Sequence, residues 1–325
     1  MERKVVMNSL LRKVMPALFL GLLMFGISGA RVQGQETDDQ AKIDIYKRFV
    51  DNRVPNPTLA YQAARDYLQK YQKDKDQYTD YLQKWVMFYE RDDRKNQLPG
   101  LIKAKNFAEA FKVGQRILTD EPDYLRAQID LGYAGYQAAT AKNDAYNSEA
   151  LALAKKAIAS IEAGKVPTEW APFKGKDDTL AYLYRSVGYL TLKTSPEQAI
   201  DPLLSAARLD SDLKKNPYLY LLLGNAYEAG PYKTLSSSYQ KDFANKPETP
   251  ESKAALEKLN VLIDRMIDAY ARAVAAAAGD PTAEQNKKDW MVPLTNYYKF
   301  RHEGSDAGLA EFIAAALQKP LPPKP

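Results

Sequence analysis

Along 105–136 the apolar residues recur at the spacing of a helix face. Phe107, Ala110, Phe111, Gly114, Ile117 and Leu118 stand three, four and seven apart, with polar residues between them. Glu121-Pro122 ends this pattern, because proline disfavours helical geometry in the residue before it. A second pattern starts at once, with Leu125, Ile129, Leu131, Gly132 and Tyr136 on the packing side. Ala110, Gly114 and Gly132 are small where the two helices would touch, so the backbones can come close.

Comparable stripes predict helices over 41–50, 58–72, 78–90, 125–141, 148–163, 251–278, 286–301 and 306–318. The stripe of 58–72 is Tyr61, Ala64, Tyr67, Leu68 and Tyr71; that of 148–163 is Ala150, Leu151, Ala154, Ala157, Ile158 and Ile161. In 251–278, Leu256, Leu259, Ile263, Met266, Tyr270, Ala273 and Ala277 alternate three and four apart. That spacing suits a coiled-coil seam and hence a homodimer, whereas Leu262, Ile267 and Val274 widen it toward a core helix. Polar or proline-bearing breaks fall at 142–147, 164–178 and 231–250, and Asp92-Asp93-Arg94-Lys95 reads as a solvated charge run. The divisions expected are a leader 1–34, N-terminal helical hairpins 35–100, a repeat core 101–230, an inserted loop 231–250, a long helix with a capping pair 251–319, and a proline-rich, frayed tail 320–325.

The repeat core resembles the tetratricopeptide (TPR) family. Ala110, Pro122 and Leu131-Gly132 stand at that family's spacing, and Tyr220-Leu-Leu-Leu223-Gly224-Asn-Ala-Tyr227 reproduces its aromatic-x-x-Leu-Gly-x-x-Tyr pattern. A further copy runs through Val187-Gly188, Ala199, Leu203 and Ala206. The pattern departs at Gly114 and Ala154, where a large residue is expected, and at Gly135 and Thr191, where tyrosine is expected. The resemblance is clearest over 104–227. It implies an all-α fold, a TPR-like α-solenoid of antiparallel helix pairs with irregular inserted loops. It also implies a protein or peptide partner held in a concave groove, chiefly by the first helix of each pair. The groove candidates on that basis are Gln128, Tyr136, Tyr184, Tyr220, Asn225 and Tyr227.

Composition changes this picture in two ways. The formal charge of +5 is concentrated at the start: 1–34 holds five basic residues and one acidic, leaving 41 basic against 40 acidic and a net of +1. A near-neutral, evenly mixed body offers no electrostatic footprint for nucleic acid. Within that basic start, Arg3, Lys4, Arg12 and Lys13 precede an eleven-residue apolar run, 17–27, and the small residues Ser28-Gly29-Ala30. This is the layout of a secretory signal, cleaved after Ala30 or Gly34, and the run is shorter than the roughly 20 residues that span a bilayer. An uncleaved membrane anchor is the alternative. The chain is thus expected to be exported by a bacterium, to the periplasm or beyond. Second, there is no cysteine, which excludes disulfides, thiolate metal sites, cysteine nucleophiles and a lipoprotein anchor.

Candidate chemistry is sparse. One histidine, His302, cannot form a His-pair metal site, and no phosphate-binding or nucleophile-elbow glycine motif occurs. Asp74-Lys-Asp76 and Asp210-Ser-Asp212 begin like calcium loops without the glycine or closing glutamate, and Ser211-x-x-Lys214 and Ser238-x-x-Lys241 match a serine–lysine pattern by spacing alone. No enzyme activity, cofactor or metal is therefore expected. The 22 tyrosines are the remaining signal. Many fill core stripes, but Tyr124, Tyr133, Tyr136 and Tyr218 fall where a groove would lie, and tyrosine offers area and a hydrogen bond at low entropic cost. Trp170, Tyr232 and Tyr239 stand in the expected loops and support the alternative function, a glycan- or peptidoglycan-binding module using exposed aromatics.

Overall fold

The computed structural model describes residues 33–278 and 281–323, and among them there are helices and no strand. The expected signal segment, 1–34, lies outside the described residues apart from its last two, which open the first helix. The chain divides between Met87 and Phe88 into two compact units.

In the first unit, α1 (Gln33–Asn52) packs beside α2 (Pro57–Tyr71). Pro57 begins α2, where a missing N–H is harmless, and the Asn56 side chain accepts from the Leu59 N–H at 3.2 Å. Ala60, Ala63, Ala64 and Tyr67 are buried on the inner face of α2, as the stripe predicts. Asp74 and Asp76 face the Lys42 ammonium at 2.6 Å each, so a lysine sits where a calcium reading would need the ion. Burial opposes the charge on Asp76, but hydrogen bonds from Lys42 and Thr79 outweigh it and hold the carboxyl down at about 2.

Helix α3 (Gln77–Lys103) continues unbroken through the charge run at 92–95. That run is not simply solvated. Arg94 reaches Asp120 at 2.5 Å, Lys95 reaches Glu121 at 2.7 Å, and Arg91 joins Glu121 at 3.1 Å.

The second unit is α-solenoid-like, built of paired helices. The helices α4 (Phe107–Asp120), α5 (Leu125–Thr140), α6 (Asn147–Glu162), α7 (Lys176–Leu192) and α8 (Pro196–Arg208) follow the expected order. A Cβ placed on Gly132 would lie 2.9 Å from Ala154 Cα, and one on Gly135 would collide with the Ala150 methyl. Residue numbers rise on α5 as they fall on α6, so the pair is antiparallel. Across the pairs, α5 also lies beside α7, and α6 beside α7.

Beyond α9 (Pro217–Tyr227), the structure departs from expectation at three points. The segment 231–250 is not a loop: after a wide turn at Glu228–Tyr232 it forms α10 (Lys233–Phe243). Leu235, Tyr239 and Phe243 stand four apart there, and neither glycine nor proline interrupts them, whereas the serine run 236–238 looks loop-like in sequence. Next, α11 (Pro250–Ala276) packs on α9, α12 (Pro281–Arg301) and α13 (Leu309–Ala316). Of its seam residues, Leu259, Ile263, Met266, Tyr270, Ala273 and Ala277 are buried inside the chain itself, and Leu256 is partly exposed. Finally, the tail is not frayed over its described part. The buried Arg272 donates from Nη2 to the Lys319 and Pro320 carbonyls at 3.0 and 2.9 Å, and Arg208 donates to the Pro322 carbonyl at 3.1 Å. An extended proline-rich segment leaves its carbonyls free, which suits it to satisfy a buried guanidinium.

Two outcomes follow for stability. Gly135→Ala should destabilise by about 1–3 kcal/mol, the usual cost of overpacking, while Gly100→Ala, with open space around it in α3, should stabilise by about 0.5–1 kcal/mol; urea titrations of both variants check the pair. Removing 319–325 should cost on the order of 2–4 kcal/mol by leaving Arg272 donors unpaired, seen as a lower melting temperature that Arg272→Met partly restores.

Candidate functional site

The side chains that come together are on the neighbouring helices α5 and α7. Tyr133 and Tyr136 stand three apart on α5, and Tyr182, Arg185 and Tyr189 stand three and four apart on α7, so each set shares one helix face. The two faces meet. Tyr133 packs edge-on to Tyr182 at 5.6 Å and to Phe173 at 5.3 Å, and Tyr136 packs edge-on to Tyr189 at 5.1 Å. All four tyrosines remain partly exposed, and the residues meet in rising order on both helices, as side-by-side parallel helices require.

Arg185 lies in the middle of this cluster. Its guanidinium carbon is 4.3 Å from the Tyr136 ring centre and 4.8 Å from that of Tyr182, so an aromatic ring covers the group on two sides. The residue is only 5% exposed. Its Nε is enclosed without an acceptor, and neither Nη group donates to a protein acceptor among the described residues. Cation–π contacts are worth about 0.5–2 kcal/mol each, whereas a desolvated ion costs several kcal/mol and an unmade charged hydrogen bond adds to that. The rings alone do not offset this burial. Burial also pushes the Tyr136 and Tyr182 hydroxyls up, and the Arg185 charge opposes that rise.

One edge of the cluster is fixed by the loop 164–175. Arg126, buried on α5, holds Asp130 at 2.7 Å and reaches that loop at the Glu169 carboxylate, 3.0 Å away, and at its carbonyl, 3.2 Å away. Burial dominates at Asp130 and raises its carboxyl from 3.8 to about 6, against the pull of Arg126.

Of the residues expected in a groove, Tyr133 and Tyr136 belong to this cluster. Gln128 is buried, donating its amide to the Pro122 carbonyl at 3.0 Å. Tyr220 and Tyr227 are core: α9 is packed against α8 and α11, and the Tyr220 hydroxyl donates to the Lys214 carbonyl at 2.9 Å. Asn225 accepts from the Tyr270 hydroxyl at 3.0 Å, while that hydroxyl also donates to Glu228 at 2.5 Å. Tyr184 donates to Glu162, and burial together with that carboxylate pushes its hydroxyl up to about 12. The loop candidates are packed as well. Trp170 lies against the α5–α6–α7 core, Tyr232 stands edge-on to Tyr297 at 5.6 Å, and Tyr239 leans on Phe243 within α10. Tyr182, Arg185 and Tyr189 were not singled out by the sequence reading. Their spacing was visible, but an arginine on a helix reads as solvated.

Comparison with protein-family models, curated proteins and solved structures gives no match.

The Asp130 carboxyl holds its proton more tightly folded than unfolded, so its contribution to stability falls as pH rises from about 4 to about 6. Asp130→Asn should remove that slope. Denaturation of variant and parent at pH 4 and pH 7 should show their difference changing by on the order of 2–3 kcal/mol.

Proposed function

We propose that this chain is an exported, non-enzymatic TPR-like scaffold that binds a protein or peptide partner in the bacterial envelope. The observation that carries this reading is the tyrosine face of α5 and α7. Tyr133, Tyr136, Tyr182 and Tyr189 are partly exposed, come from two neighbouring helices and brace one another through ring contacts. Rings already held in place lose little conformational freedom on binding, which is why such surfaces favour tyrosine. The paired helices supply the rigid mount, and the basic, apolar and small-residue order of 1–34 supports export. The glycan alternative has less support, since Trp170 and Tyr232 each pack against other side chains of the protein.

A photo-crosslinking residue placed at Tyr133 in the producing cell should give a reproducible protein adduct, and one placed at the exposed Lys155 of α6 should not. Tyr189→Ala should weaken binding of the captured partner by about tenfold or more. Equal adducts from both positions, or cell-wall material alone, would sink the scaffold reading.

A further inference from the structure

The second unit contains three deeply buried arginines, and two of them show what such a group requires. Arg126 has Asp130 four residues later at 2.7 Å, and Arg272 has Asp268 four residues earlier at 2.8 Å. Each also donates to backbone carbonyls. Arg185 is equally buried, yet its corresponding positions are Ala181 and Tyr189. No carboxylate and no carbonyl accepts from it among the described residues.

Resting on the reading of the α5–α7 face as a partner-binding surface, we propose that Arg185 receives a carboxylate from the bound segment. The partner is then a peptide segment bearing an Asp or Glu side chain, set among residues that pack on tyrosine. Two observations select this chemistry. The rings of Tyr136 and Tyr182 flank the guanidinium, so a ligand reaches it at its edge, where paired N–H donors match the two oxygens of a carboxylate. The charge also matches. Arg185 supplies a single positive charge, and Lys174, whose charge also reaches Tyr182, is committed to Asp212 at 2.6 Å. Asp178 and Asp212 add negative charge near Tyr182. A monoanionic carboxylate fits that balance better than a phosphate dianion. Asp178 does not supply the missing partner, because one of its oxygens accepts the Lys174 backbone N–H at 3.0 Å and the other is enclosed with no donor.

The test is an array of 12-residue peptides probed with the full chain. Bound sequences are then remade with each Asp or Glu replaced by Asn or Gln, or by phosphoserine, and measured in solution. The expected result is a loss of at least tenfold when one acidic residue is replaced, and no such difference with Arg185→Met. Arg185→Met breaks no ion pair, so its melting temperature should equal or exceed the parent's, which a purely structural arginine would not allow. Arg185→Lys keeps the charge without the planar fork and should also lose the acidic preference; it serves if Arg185→Met does not fold. Peptides that bind in a Tyr189-dependent way without acidic preference, that prefer phosphoserine, or whose preference survives Arg185→Met would overturn the carboxylate and leave the binding face standing. Absence of any Tyr189-dependent peptide would overturn the binding face, and the carboxylate with it.

Discussion

The second unit depends on how closely the backbones of α5 and α6 approach. Gly132 and Gly135 face Ala154 and Ala150 with no room for a further carbon, so the pair is fixed in separation and in register. Because α7 packs against both α5 and α6, the position of α7 is set by the pair it rests on. The distance between α5 and α7 in turn lets tyrosines from the two helices meet edge to face, and leaves a gap between Tyr136 and Tyr182 that one guanidinium fills. A larger residue at either glycine would therefore act at the aromatic face without touching it.

Architecture was largely legible in the sequence because helix periodicity and small-residue contacts are local. The pattern over 105–136 identified α4, its stop at Glu121-Pro122 and α5, together with the close contact. What misled was information that only the fold contains. Tyr220 and Tyr227 match a groove-lining pattern, yet α11 packs on α9 and places both in the core. A repeat motif specifies which residues pack within a pair, but not which later helix covers the pair. The same holds for the tail. A proline-rich end reads as frayed until Arg272, 47 residues away from Lys319 in sequence, is seen to need its carbonyls.

Several buried polar groups near the C-terminus find partners inside the chain. Glu228 accepts from the hydroxyls of Tyr270 and Tyr297 at 2.5 and 2.7 Å, joining the wide turn after α9 to α11 and α12. Burial and that carboxylate together push both tyrosine hydroxyls upward, so they stay protonated donors across the ordinary pH range. Arg272 and Arg208 close the same region by holding the tail. These contacts cap the array, covering a hydrophobic end that a stack of helices would otherwise expose.

On the α5–α7 face, Arg185 lacks the partners that those groups have. Arg126, one of its neighbours on α5, is satisfied by Asp130 and by the 164–175 loop. Arg185 has no such acceptor among the described residues. Around it the rings are in mutual contact. A stabilising exchange was structurally available, since an apolar residue of similar length would remove the desolvation cost and leave the tyrosines packed. A charged group at such a position, beside partly exposed aromatic area, therefore costs folding stability, and that cost is the physical basis of the proposed recognition role.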